Sequence, residues 1–183
     1  MHKDPLFISA GNQAMVVELG NYISSEISGT VHKLALTIDK ACIPGILDVV
    51  PTYRSLLINY DPMTISNTDL QDNIQMIYAD LDDVTNRNPC IVQIPTRYGG
   101  QYGPDFEYVM EHTKLTKEDI IKIHSGTDYI LHMLGFTPGF PYLGGLSKRL
   151  ITPRLKTPRT HVSAGSVGIG NDQTGIYPID SPG

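Results

Sequence analysis

Two histidines and two arginines carry the side-chain chemistry that stands out in this sequence. His161 precedes the small-residue run Ser163-Ala164-Gly165-Ser166 and is the acid–base candidate, because imidazole titrates near neutrality without any perturbation. His124 closes an amphipathic stretch and is the second candidate; a protonated ring there would also suit the negative end of a helix dipole. His132 lies in an apolar run and reads as a core or interface histidine. No two of these histidines have the spacing of metal ligands, so no metal site is expected. Arg154 and Arg159 each follow a proline, which fixes the local backbone and presents the side chain predictably. A guanidinium can grip a carboxylate or a phosphate through two parallel hydrogen bonds, so these two residues suit an anionic substrate group. The alternative is two surface arginines that steady a neighbouring acid. No nucleophile stands beside its base, so the chain is not expected to complete an active site alone.

The run Gly135-Phe136-Thr137-Pro138-Gly139-Phe140-Pro141-Tyr142-Leu143-Gly144-Gly145-Leu146 packs four glycines, two prolines and three aromatics into twelve residues. Such a loop is rigid, and a rigid loop loses little ordering entropy when it binds. Phe136, Pro138, Gly139 and Phe140 are therefore candidate substrate contacts; the competing reading is a tight corner that packs its aromatic rings into the core. Ser166, Gln173 and Thr174 are candidate hydrogen-bond donors to a ligand. The glycine-rich stretch Ser163–Gly170 lacks the Gly-Lys-Ser/Thr ending of a phosphate-binding loop and is not a GxGxxG fingerprint.

The elements that hold these residues follow from composition and periodicity. Residues 1–91 contain four Gly and five Pro, and residues 135–183 contain nine Gly and six Pro. Regular structure is expected in the first stretch, short strands and many turns in the last. Leu6–Ile8 and Ala14–Val17 read as strands around Gly11-Asn12. Ile23, Ile27, Val31 and Leu34 mark a helix with Ser24 or Ser25 as its cap. Ile46–Val50 and Ser55–Tyr60 read as strands joined through Pro51–Arg54. Leu70, Ile74, Ile77 and Leu81 mark a helix after Ser66-Asn67, and Ile91–Ile94 reads as a further strand. That order predicts a split βαβ, ferredoxin-like sheet with its helices on one face. Beyond it, Pro104 is placed in the first turn of a helix through Phe106, Val109 and Met110. Thr116–Asp119 resembles a capping box that opens another helix ending near His124. Tyr129–Leu134 is a strand, and the remainder reads as a β-rich barrel or sandwich.

Charge narrows the partners. The chain of 183 residues carries a formal −5, which argues against general nucleic-acid binding. The charge is uneven: residues 135–183 hold five Lys/Arg and two acids, while the rest hold nine and seventeen. A basic tail on an acidic body suits an anionic substrate or an acidic partner. No apolar run approaches signal-peptide or membrane-span length, so a cytoplasmic protein with no membrane association is expected. Cys42 and Cys90 lack CxxC spacing and read as reduced thiols.

Several motifs, taken together, resemble the family of the 5-oxoprolinase B subunit (PxpB), also known as KipI or allophanate hydrolase subunit 1. They are Gly135-Phe136 and Pro138 to Leu146, Pro153-Arg154, Pro158-Arg159, Ala164 to Ile169, Gln173 to Pro178 and Ser181-Pro182-Gly183. Upstream, Val50 to Ile58, Tyr60-Asp61-Pro62, Ile94-Pro95, Tyr98-Gly99-Gly100, Gly103-Pro104-Asp105 and His124 match too. The resemblance runs from about Gly11 to Gly183. Ser163 stands where the family usually has Pro, and Gly170-Asn171 departs from an Ala-Gly-like pair.

The resemblance implies an α+β protein in two domains: a ferredoxin-like α/β domain, 1–89, and a cyclophilin-like β-barrel, 90–183, which the family continues past Gly183, so that the barrel here is expected to be incomplete. It implies one component of an ATP-dependent 5-oxoprolinase that converts 5-oxo-L-proline to L-glutamate. The implied partners are the KipA-like C subunit and the A subunit of that enzyme, with ATP used at the level of the complex. A KipI-type inhibitor of a sensor histidine kinase is the non-enzymatic alternative. A carboxyltransferase-like component of a urea or allophanate pathway is the third reading, although the chain has no biotin-carrier motif and biotin is not expected.

Overall fold

Ser24 accepts a hydrogen bond from the Ile27 amide at 3.1 Å and so caps α1 (Ser25–Ala41). Ser66 does the same for the Asp69 amide at the start of α2 (Asn67–Ala79). Each serine satisfies one of the backbone donors that the first turn of a helix leaves without a partner. These helices belong to the first of two compact units, Met1–Arg87 and Asn88–Gly183, in a computed structural model that describes residues 1–81 and 90–183. The boundary expected after residue 89 falls on residues outside the described ones.

The strands of the first unit are β1 (Leu6–Ser9), β2 (Ala14–Glu18), β3 (Ile46–Pro51) and β4 (Ser55–Tyr60). They form one antiparallel sheet in the order β1-β2-β4-β3. Alternation decides what is buried: Met15 and Val17 of β2, and Leu56 and Ile58 of β4, are fully buried, while their neighbours are only partly so. Ile27, Val31, Leu34 and Ile38 from α1 and Leu70 and Ile74 from α2 join them in one core. The i, i+3, i+4 spacing of these residues on each helix is what aims them at one target. Leu81 and Ile77 pack partly buried at the edge of this core. The strand expected at Ile91–Ile94 does not form: those residues carry no regular structure, and Ile91 and Val92 are among the most exposed apolar side chains. The sheet position beside β2, where a split βαβ arrangement would seat its last strand, is taken by β1, paired Phe7 to Val17 and Ile8 to Val16.

In the second unit, α3 (Phe106–Thr113) begins after Asp105, so Pro104 lies just outside the helix and not in its first turn. Thr116 caps α4 (Lys117–Ser125) by accepting from the Asp119 amide at 3.2 Å, as the capping signature predicted. Four strands follow, β5 (Ile130–Leu134), β6 (Pro141–Gly144), β7 (Val167–Gly170) and β8 (Gln173–Ile176), in a second antiparallel sheet ordered β5-β6-β8-β7. A small core of Ile120, Leu146 and Leu150, backed by Phe106, Val109 and Met110, ties the helices together. Isolated bridges between Thr152 and Asn171 and between Val162 and Ser181 fasten the long connection from β6 to β7. Thus the chain is α+β, with two four-stranded antiparallel sheets and four α-helices among the described residues. No helix among the described residues is long and apolar enough to cross a membrane.

Candidate functional site

His124 sits at the end of α4, buried, and its ring is held from both sides. Nδ1 lies 2.7 Å from the Tyr98 hydroxyl, and Nε2 lies 3.5 Å from Thr174 Oγ1 on β8. Thr174 donates its own proton to the Gly168 carbonyl of β7 at 2.9 Å, so toward His124 it can only accept. Nε2 therefore carries the hydrogen, Nδ1 is bare, and the Tyr98 hydroxyl donates to it. One tautomer satisfies the whole chain of contacts. Tyr129 donates to the His124 carbonyl at 2.9 Å and closes the other side of the pocket. Burial pushes the His124 pKa down, and it outweighs the helix-dipole preference for a cation at this end. Burial likewise raises Tyr98, and pushes Tyr129 up to about 12. The result is a neutral, hydrogen-bonded cluster joining α4, β7, β8 and the Tyr98 loop.

His161 has a different setting. It is largely exposed, with Ser163 Oγ 3.4 Å from its Nε2 and Asp180 Oδ2 4.0 Å from the same nitrogen. A Ser–His–Asp relay needs the serine and the acid on opposite ring nitrogens. Here both meet Nε2, and Asp180 spends its other oxygen on the Ala164 amide at 2.7 Å. The group is a turn-stabilising contact in its present geometry. Ser166, a candidate donor, holds this turn through its backbone: its amide donates to the Ser163 carbonyl and its carbonyl accepts from the Tyr177 amide.

The two arginines separate. Arg159 is engaged by Asp105, the residue before α3, through Nη2 to Oδ1 and through Nε to Oδ2 at 3.2 Å. This two-pronged pair pins the proline-rich segment to the start of the helix and raises the Arg159 pKa further. Arg154 is exposed and forms no ion pair among the described residues. Its guanidinium lies against the backbone of Gly170, where an added Cβ would come within 3.3 Å of Nε. Gln173 starts β8 opposite Gly170, beside that arginine's resting place.

The aromatic loop between β5 and β6 is two turns fused. Thr137 donates its amide to the Gly135 carbonyl at 2.7 Å, a three-residue turn with Phe136 at its centre and φ of +62°. Phe140 then donates to the Thr137 carbonyl at 3.0 Å, with Pro138 and Gly139 between them and Gly139 at φ +80°. Proline then glycine at these positions is the signature of a type II turn. Gly135 donates to the Phe140 carbonyl at 3.1 Å and closes the loop. Phe140 is buried and forms the hub of a ring cluster, edge-on to Phe136, Tyr142 and Tyr177 at 5.1–5.5 Å between centroids. Phe140 packs inward, as a tight structural corner expects, while Phe136 departs from that reading and is 61% exposed. Beside Phe136 lies a shallow cavity of about 280 Å³ lined by residues 134–139.

The structure thus joins His124 to Thr174 and Phe136 to Phe140, and leaves His161, Arg154 and Arg159 with neighbours that sequence reasoning had not paired with them. It adds Tyr98, Asp105 and Thr137, whose roles depend on contacts across 26 and 54 residues or on turn geometry, which spacing alone does not reveal.

Residues 5–183 match the family model described as the carboxyltransferase domain, subdomain C and D. The chain is 39% identical to a Bacillus subtilis (strain 168) protein named as the B subunit of 5-oxoprolinase, over 94% of this chain and 76% of that one. The crystal structure of TTHA0988 superposes with a TM-score of 0.82 at 34% identity, covering 93% of this chain and 33% of that one. The present chain therefore spans about a third of TTHA0988. The K. lactis urea amidolyase superposes with a TM-score of 0.75 at 19% identity, over 98% of this chain and 12% of that one, a likeness of fold alone.

Proposed function

The chain belongs to the carboxyltransferase-domain family, subdomains C and D, and within it to the relatives named as the 5-oxoprolinase B subunit, and from that premise we propose that it serves as the B subunit of an ATP-dependent 5-oxoprolinase. The observation that carries this reading is the identity of 39% to a protein of that name along almost the whole chain. The proposed reaction opens the lactam of 5-oxoproline to L-glutamate. A lactam carbonyl is a poor electrophile, and phosphorylation of its oxygen by ATP would turn it into a good one. ATP is a substrate of the complex. The glycine-rich stretch 163–170 leads into β7 and not into a helix N-terminus, so it does not offer the strand–loop–helix cradle that phosphates use.

We assign the chain a part of a shared site, completed by the C and A subunits in the cytoplasm. His161 and His124 are the acid–base candidates, with His124 better suited to holding the Tyr98 and Thr174 elements in place than to exchanging protons with solvent. Of the two arginines, Arg154 has the free guanidinium and is the proposed clamp for the substrate carboxylate, while Arg159 is held by Asp105. Phe136, Pro138 and Gly139 supply the apolar wall, Phe140 supports it from beneath, and Ser166, Gln173 and Thr174 lie on the neighbouring turn and strand. At the finer level of fold, we read the first unit as a ferredoxin-like sheet with β1 in the fourth position, and the second as a cyclophilin-like barrel.

The test is to purify the chain in complex with the subunits encoded beside it and to measure glutamate release from 5-oxoproline. Release that requires both ATP and the assembled complex is the expected result. Absence of release with every partner combination overturns the reading. The likeness of fold to urea amidolyase makes biotin-dependent carboxyl transfer the control reaction, to be run on the same complex.

A further inference from the structure

Thr137 lies between the two turns of the aromatic loop, and its hydroxyl oxygen is buried with no hydrogen-bond partner. Buried hydroxyls are almost always satisfied, and one left dry weakens the fold. The residue before it, Phe136, is held at a positive φ that bulky side chains avoid, yet its ring is 61% exposed. Two local costs thus coincide on adjacent residues, and both residues line the same cavity of about 280 Å³. Unfavourable local geometry gathered at one concave place is a mark of a binding site.

We propose that this cavity is the subsite for the lactam ring of the substrate, with the Thr137 hydroxyl as donor to the ring carbonyl and the exposed Phe136 ring as its apolar floor. The inference rests on the 5-oxoprolinase reading and names the part of the substrate this chain holds. A five-membered lactam is small enough for the volume, flat enough to lie on an aromatic face, and presents one strong acceptor. Leu134, 54% exposed, supplies apolar contact for the ring methylenes. On binding, the Thr137 hydroxyl would turn about χ1 toward the cavity, where the substrate satisfies a group that is buried without a partner in the free protein. A linear amide or a bare carboxylate lacks the flat ring that the floor selects.

The experiment compares wild type, Thr137→Val and Thr137→Ser in the assembled complex, by thermal unfolding and by calorimetric binding of 5-oxoproline. Valine keeps the shape and removes the hydroxyl; serine keeps the hydroxyl. The expected result is a Tm for Thr137→Val at or above that of wild type, with Kd weakened about tenfold, and near wild-type binding for Thr137→Ser. An unchanged Kd in Thr137→Val overturns the subsite. So does a Tm lowered in Thr137→Val and kept in Thr137→Ser, since the hydroxyl would then have a structural partner. If the wild-type complex itself fails to bind 5-oxoproline, the functional reading fails, a result distinct from wild-type binding that the valine variant leaves intact.

Discussion

The Tyr98 hydroxyl stands 2.7 Å from Nδ1 of His124, and it donates, because the other ring nitrogen gives its proton to Thr174. The ring is therefore neutral by arrangement as well as by burial. Its pKa in the folded state is lowered, while in the unfolded chain it returns to about 6.5. Between those two values the unfolded state binds more protons, so stability rises with pH through that window and is lost as pH falls below about 6.5. Chemical denaturation of wild type and His124→Gln at pH 8, 7, 6 and 5 reads this out. Wild type should lose more stability than the variant on going from pH 7 to pH 5. Equal losses would show that His124 does not drive the acid sensitivity.

Tyr98→Phe removes the donor and leaves the ring contacts with Phe106 and His124 in place. A buried Nδ1 without a donor should cost about 1–2 kcal/mol. The same change favours protonation of the folded ring and moves its pKa back toward the unfolded value, so the loss of stability on acidification should be smaller than in wild type. Denaturant midpoints at pH 8 and pH 5 give both numbers from one series, and an acid loss equal to that of wild type would refute the assigned tautomer.

The two arginines are indistinguishable in the sequence, each five residues from the other and each after a proline. The structure separates them through Asp105, 54 residues away from Arg159. Arg154→Ala in the assembled enzyme should raise KM for 5-oxoproline about tenfold with kcat little changed, the pattern of a lost ground-state contact. Arg159→Ala should leave KM alone and lower Tm slightly. Gly170→Ala crowds Arg154 Nε and should reproduce part of the Arg154→Ala effect without removing the charge. Equal KM changes for Arg154→Ala and Arg159→Ala would place both on the substrate.

What could be read early was what local sequence determines. Ser24, Ser66 and Thr116 announced their helices because capping is decided within four residues, and the alternation of Met15 and Val17 announced a half-buried strand. Ile91–Ile94 misled because β-branched alternation reports fitness for a sheet and says nothing about whether a sheet position is open; β1 holds the one beside β2. The site was legible as residue types and not as pairs. Tyr98 with His124 and Asp105 with Arg159 are long-range contacts, and the unsatisfied Thr137 hydroxyl is a property of three-dimensional packing.

Phe140 and Gly175 give the most direct test of the aromatic hub. Gly175 is paired with Tyr142 across β6 and β8, and a Cβ built on it would come within 2.6 Å of the Phe140 ring and 3.2 Å of the Pro141 carbonyl. A ring edge in a loose loop would yield, but here Phe140 is fixed by three neighbouring rings and by hydrogen bonds from both ends of its turn. Overpacking of this kind costs about 1–3 kcal/mol. Gly175→Ala should therefore lower stability by that amount, and Phe140→Leu in the same background should recover part of it, because the smaller side chain vacates the space. Recovery identifies the clash as the cause. A Gly175→Ala protein as stable as wild type would show that the hub is soft, and would remove the rigid support on which Phe136 is presented.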